Sequence, residues 1–480
     1  MSRTDHAHSI ADQRRDPKPF FDLRAGVIWF CLALISAACN RTAEPPVTLA
    51  ARVSTSMPTI TPRIQPSATS PVGFSSVRPV DPSVSAILEE VSSARLVESV
   101  NILAALGTRH VLSVQDDPNR GIGAARNWIQ AQFESIRESH PEKQIEVWLQ
   151  PFSYQWRIWE ITAQNVILRL PGSDPNAGIY IIGAHYDSIG SDPFNANLPA
   201  PGANDNGSGV AGMLEIARIM AGRTPRHTLL FVAFSAEETG RQGSLAFVND
   251  YLRAQRPPLD LKGMINLDMI GGEQGERGAR EPRLMRLFSG EPNTSPSRQF
   301  ARQLWLVVNS YIGDMNVVMQ PTEDREGRWG DQQSFTAVGY GAVRFIQGVE
   351  NPNLQHNQWD TLEAVQEDYL RRATRTVLAG LLVLTESLPA PSGFSLRRDS
   401  AGTVSLNWVV VDGAGGYLVL LRTENSIMYD QVLTLNGGSV NRLEWDRFDQ
   451  FQYISMMSVD SAGRAGAASP EIMISRLLSP

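Results

Sequence analysis

Three apolar runs, one glycine-rich turn and one loop in this sequence carry acids and histidines whose types and spacing could do chemistry. The run 178–184, GIYIIGA, continues into His185-Tyr186-Asp187. Residues two apart in a strand point the same way, so His185 and Asp187 share a face. A metal-bound histidine usually donates its other ring N–H to a carboxylate, and Asp187 is placed to be that orienter. A satisfied core histidine is the competing reading. The turn 201–209, PGANDNGSG, sets Asp205 among glycines at a helix start. An N-cap carboxylate would explain the residue type, but three glycines point to close backbone approach as well. The run 228–234, TLLFVAF, ends in Ser235-Ala236-Glu237-Glu238. Adjacent acids at a strand end point in opposite directions, so one can bind metal while the other faces a water; a solvated acidic turn is the alternative. Asp268 sits within the apolar MINLDMIG, where a buried carboxylate must be paired, hydrogen-bonded or coordinated. His356 lies in the loop 353–361, NLQHNQWDT, whose Asp360 and Thr361 read as ordinary helix-start residues.

The elements that must position these groups alternate along the chain. The hydrophobic pattern predicts helices at 84–105, 121–138, 208–221, 243–254, 297–311 and 363–387. It predicts strands at 144–150, 164–170, 179–184, 228–234, 263–269 and 342–347. Several strands are apolar throughout, as strands covered on both faces are. The expected fold is therefore α/β, an open mixed sheet with helices on both faces over residues 83–388. Reactive groups in such sheets gather beyond the strands' carboxyl ends.

Order and spacing together resemble the clan MH zinc exopeptidases, the bacterial dizinc aminopeptidases in particular. The resemblance runs from Leu106-Gly107-Thr108-Arg109 to the last helix of the body. It implies that His185 and Asp268 hold one zinc, that Glu238 and His356 hold a second, and that Asp205 bridges the two. It implies Glu237 as general base, with Asp187 orienting His185. Three carboxylates and two neutral imidazoles then leave the metal pair with an excess positive charge, which makes a bridging water acidic near neutral pH. The implied reaction is hydrolysis of N-terminal residues from peptides, with Glu237 taking a proton from that water and passing it to the leaving amine. Carboxypeptidase, dipeptidase and glutaminyl cyclase activities belong to the same fold, and a non-catalytic receptor-like protein is the alternative of a different class. Two departures stand out. Gln332, in the stretch Gly330-Asp331-Gln332-Gln333-Ser334-Phe335, replaces the family's histidine, and Asn357 replaces a threonine. Both are expected near the substrate pocket, so specificity does not carry over. The segment 271–296, rich in Gly, Glu and Arg, reads as an insertion or lid.

Composition agrees with an enzyme of this size. The 480 residues are 42% hydrophobic and 19% charged, which excludes wholesale disorder and fibrous chains. Basic residues number 43 against 50 acidic, so no surplus exists for binding nucleic acid. The two cysteines, Cys31 and Cys39, exclude a disulfide scaffold and a thiolate zinc site. Both fall in or beside the apolar run 26–38, which follows Arg14, Arg15, Lys18 and Arg24. Residues 1–39 thus read as an export signal. Ser36-Ala37-Ala38-Cys39 resembles a lipobox, which would anchor the protein to a membrane through Cys39; cleavage after Ala38 without a lipid fits as well. The expected location is outside the cell or in its envelope. Residues 40–82 read as a disordered Ser/Thr/Pro-rich linker, since 19 of the residues 41–80 are of those types. Residues 389–480 carry short alternating runs between turns and read as a β-sandwich resembling a fibronectin type III module, with no partner legible.

Overall fold

The structure is a computed structural model that describes residues 74–75, 80–255 and 258–478. The expected export signal and most of the expected linker lie outside these described residues.

Eight strands form one sheet: β1 (Glu146–Trp156), β2 (Trp159–Leu170), β3 (Ile179–His185), β4 (Thr228–Phe234), β5 (Leu261–Leu267), β6 (Leu284–Ser289), β7 (Asn316–Met319) and β8 (Ala342–Gln347). Their order is β1-β2-β4-β3-β5-β8-β6-β7. The inner strands β4, β3, β5 and β8 are mutually parallel, so their carboxyl ends share one edge. Strand β4 is buried at every residue because its alternate side chains enter two different cores. Leu229, Phe231 and Ala233 join the core beneath helices α1 (Pro82–Leu88), α2 (Ser93–Ala105), α3 (Gly121–Ser139), α4 (Gly209–Ala221), α6 (Pro296–Tyr311) and α8 (Glu367–Glu386). Leu230, Val232 and Phe234 join the other core, with Phe247 and Val248 after the short α5 (Gln242–Ala246) and Phe335 of α7 (Gln332–Thr336).

Four expectations change. The helix expected over 84–105 is two helices, because Ser92 caps the second through Arg95 N–H and donates its own N–H to Glu215. The hairpin strands β1 and β2 run longer than expected. Asp268 lies one residue beyond β5 rather than within it. The segment 271–296 is not simply a lid, for its residues 284–289 form β6, antiparallel to β8. Arg286 breaks the apolar pattern of that strand in sequence; in the fold its guanidinium pairs with Glu350.

The C-terminal region is an antiparallel all-β unit with a three-stranded and a six-stranded sheet. Phe74–Ser75, within the expected linker, pairs with Gln431–Asn436 at the edge of the larger sheet. Aromatic residues build its core: Trp408 and Tyr417 meet edge to face at 5.3 Å. Leu418, Leu420, Met457 and Val459 of this unit enter the same core as α6 and α8. Beside them Glu471 is clamped between Arg302 of α6 at 2.8 Å and Arg422 at 2.6 Å, all three side chains almost fully buried. Removing one partner of a buried ion pair leaves an uncompensated charge. Glu471→Ala should therefore cost about 3–5 kcal/mol of stability, read by calorimetry as a lower melting temperature of the peptidase body and the β unit together.

Candidate metal centre

The four parallel strands deliver the acids and histidines to one edge. His185 ends β3, Glu237 and Glu238 follow the turn after β4, Asp268 follows β5, and His356 lies in the loop after β8. The turn carrying Asp205 folds over this edge. His185 Nε2 lies 3.3 Å from Asp205 Oδ1 and 3.6 Å from Asp268 Oδ1. His356 Nε2 lies 3.3 Å from Asp205 Oδ2 and 3.2 Å from Glu238 Oε2. Asp205 thus turns one oxygen toward each histidine. The groups His185/Asp205/Asp268 and Asp205/Glu238/His356 each bring ligand atoms within 4.8 Å of one another, as does His185/Glu237/Glu238. All five expected ligands and Glu237 are therefore together, lining a cleft of about 300 Å³.

This donor set fits zinc. It holds imidazole nitrogens and carboxylate oxygens without cysteine. Glu238 Oε1 and Asp268 Oδ1 are buried and accept no hydrogen bond, so each has a lone pair open to a cation. Proton affinities report the same crowding of negative charge. The Glu238 carboxylate is the main cause that raises the pKa of His356 to about 11. Burial works against a charged His185, yet Asp187, Asp205 and Asp268 hold its pKa well above the ordinary histidine value. Burial pushes Glu237 well above the usual carboxylate range. It pushes Asp331, whose two oxygens are unpartnered, to about 7.

The supports correct several readings. Asp187 stands 3.6 Å from His185 Nδ1, and its carboxylate is chiefly occupied by the backbone N–H groups of Glu237 at 3.0 Å and Glu238 at 3.1 Å. It ties the strand that carries the histidine to the turn that carries the two acids. Asp205 is no N-cap: α4 starts at Gly209 without a side-chain cap. The glycines near Asp205 make room for protein atoms, since a Cβ on Gly209 would meet Leu267 O and Asn206 Oδ1 at 2.4 Å. Gln332 is fully buried away from the cleft; it donates to Asp324, which with Asp268 holds Arg344 at 3.0 Å on each side. Asn357 closes its own loop on the carbonyls of Asn353 and Gln355.

Two supports escaped the sequence reading. Asp360, taken for a helix-start residue, is buried and accepts the backbone N–H groups of Asn204 at 2.8 Å and Asp205 at 2.9 Å. Arg109 is fully buried and binds the carbonyls of Tyr186 at 2.6 Å and Gly202 at 2.9 Å. The mid-strand arginine in AVRFIQ was a third signal, since a charge there needs a buried partner.

An open mixed sheet with a carboxylate and histidine cluster at its parallel strand ends defines a metallopeptidase of the zinc exopeptidase fold. The LapA aminopeptidase of Legionella pneumophila shares the fold, with a TM-score of 0.51 at 20% identity over 66% of this chain and 78% of that one. Residues 165–381 match the model of peptidase family M28. A probable zinc metalloprotease of Pyricularia oryzae is 34% identical over 389 residues, 74% of this chain and 77% of the relative. Another, from Pyrenophora tritici-repentis, is 29% identical over 82% of this chain and 97% of its own length. The chain belongs to peptidase family M28 and is a zinc metallopeptidase.

Asp360→Asn should keep the fold but weaken its grip on the Asp205 backbone. Zinc affinity should fall about 10–100-fold, measured by competition with a chromogenic chelator.

Proposed function

We propose that this protein is an exported aminopeptidase working with two zinc ions, one held by His185 and Asp268 and one by Glu238 and His356, with Asp205 shared. The observation that carries this reading is the pair of Asp205 oxygens, each 3.3 Å from a different histidine. Zinc held by these residues would supply Lewis acidity toward the scissile carbonyl and would make a water more acidic. Glu237, as the carboxylate, takes the proton from the attacking water and delivers it to the leaving amine; burial raises its proton affinity and so makes it a stronger base. The cleft, about 300 Å³, is small, which suits the end of a peptide and not its middle. Asp187 fixes the backbone of Glu237 and so the direction of proton transfer. The export signal and Cys39 support secretion, with a lipid anchor where Cys39 is acylated, and the C-terminal β unit is read as fibronectin type III-like.

Glu237→Gln should lower kcat by about 10²–10⁴-fold, assayed on aminoacyl-arylamides, while elemental analysis finds the metal content unchanged. Full activity in this variant would remove Glu237 from the role. Chelation should abolish hydrolysis by the wild type, and added zinc should restore it. Mass spectrometry of the exported protein should find the mature amino terminus at Cys39.

A further inference from the structure

We propose that Arg241 and Trp329 form a subsite for a substrate carboxylate at the wall of the metal cleft. This rests on the peptidase reading above and names the substrate class it would favour. Along with the acids and histidines, the cleft is lined by three arginines, Arg241, Arg328 and Arg344, and by Trp329. Two of the three guanidinium groups are committed. Arg344 lies between Asp268 and Asp324. Arg328 lies against Gln355 and 3.4 Å from Glu350. Arg241 meets only the neutral amide of Gln333 and the face of Trp329, 5.5 Å from the ring centre. Among the described residues no carboxylate pairs with it.

Its position is held rigidly next to the reacting groups. The Arg241 backbone N–H donates to the Glu237 carbonyl at 2.8 Å. Its φ of 60° lies in the left-handed region, where glycine or asparagine would be cheaper than a long cation. Trp329 is 51% exposed and lines the cleft, with one face of its ring under the guanidinium. A planar fork fixed on an aromatic ring suits bidentate binding of a carboxylate. The cleft therefore carries, beside the acids and histidines, a guanidinium that no described carboxylate neutralises. The complementary substrate is a short peptide with a negative charge near its amino terminus. That charge is either the α-carboxylate of a dipeptide or an acidic side chain.

The test compares kcat/KM of the zinc-loaded full-length protein on three substrate pairs: Leu-Ala against Leu-Ala-amide, Leu-Glu-amide against Leu-Gln-amide, and Glu-Ala-amide against Gln-Ala-amide. The wild type should prefer the charged member of one pair by about tenfold or more through KM, and that pair identifies the source of the carboxylate. Arg241→Leu should collapse the preference, Arg241→Lys should keep part of it, and Trp329→Ala should reduce it. An unchanged ratio in Arg241→Leu, or no preference in any pair, overturns the subsite. Calorimetric titration with the same peptides separates this from the peptidase reading. Peptides that bind with an Arg241-dependent preference but are not cleaved would keep the subsite and overturn the hydrolase. Equal binding of charged and neutral members would overturn the subsite alone.

Discussion

Buried like charges repel, and the edge of this sheet gathers Asp205, Glu237, Glu238, Asp268 and Asp331 into one small volume. Each would be expensive in isolation. Much of the surrounding structure can be read as the means of keeping them there. Arg344 neutralises Asp268 from behind, the two histidines stand between acids, and Asp187 and Asp360 give their own charge to backbone N–H groups. What remains uncompensated is the set of oxygens that faces the cleft. A site whose residual charge is negative and whose donors are preset binds divalent cations with little reorganisation.

The supports work mainly through backbone. Asp187 and Asp360 each accept two consecutive or nearby N–H groups, and Arg109 binds carbonyls of the strand end at Tyr186 and of the turn at Gly202. Side chains on loops are usually the mobile part of an enzyme. Here the loops are tied to one another by buried charged groups, so the ligand positions inherit the rigidity of the sheet. The β unit extends the same logic at larger scale. It shares the core of α6 and α8 and is locked by the Arg302–Glu471–Arg422 clamp, so it supports the peptidase body instead of trailing from it.

Legibility in the sequence followed the type of force involved. The inner strands β3 and β4 were readable because burial on both faces demands unbroken apolar runs. The ligands were readable because acids and histidines directly after such runs have few other uses. Strand β6 was hidden because Arg286 interrupts it, and its pairing with Glu350 is a contact across 64 positions. Asp360 was hidden because a capping acid and a buried backbone clamp look alike in one dimension. Gln332 lies beside the site as its neighbours suggest, but only its rotamer and burial send its amide to Asp324 and not into the cleft.

The sequence by itself determined the inner strands of the sheet, the set of candidate metal-binding side chains and the absence of cysteine from the folded body, because these rest on local pattern and residue type. Tertiary structure alone decided which acid faces which histidine, which of the described arginines lining the cleft remains without a carboxylate, and that the β unit shares the peptidase core. Those outcomes depend on distances between residues far apart in the chain. Electrostatic pairing acts over a few ångströms of space, and no local pattern records it.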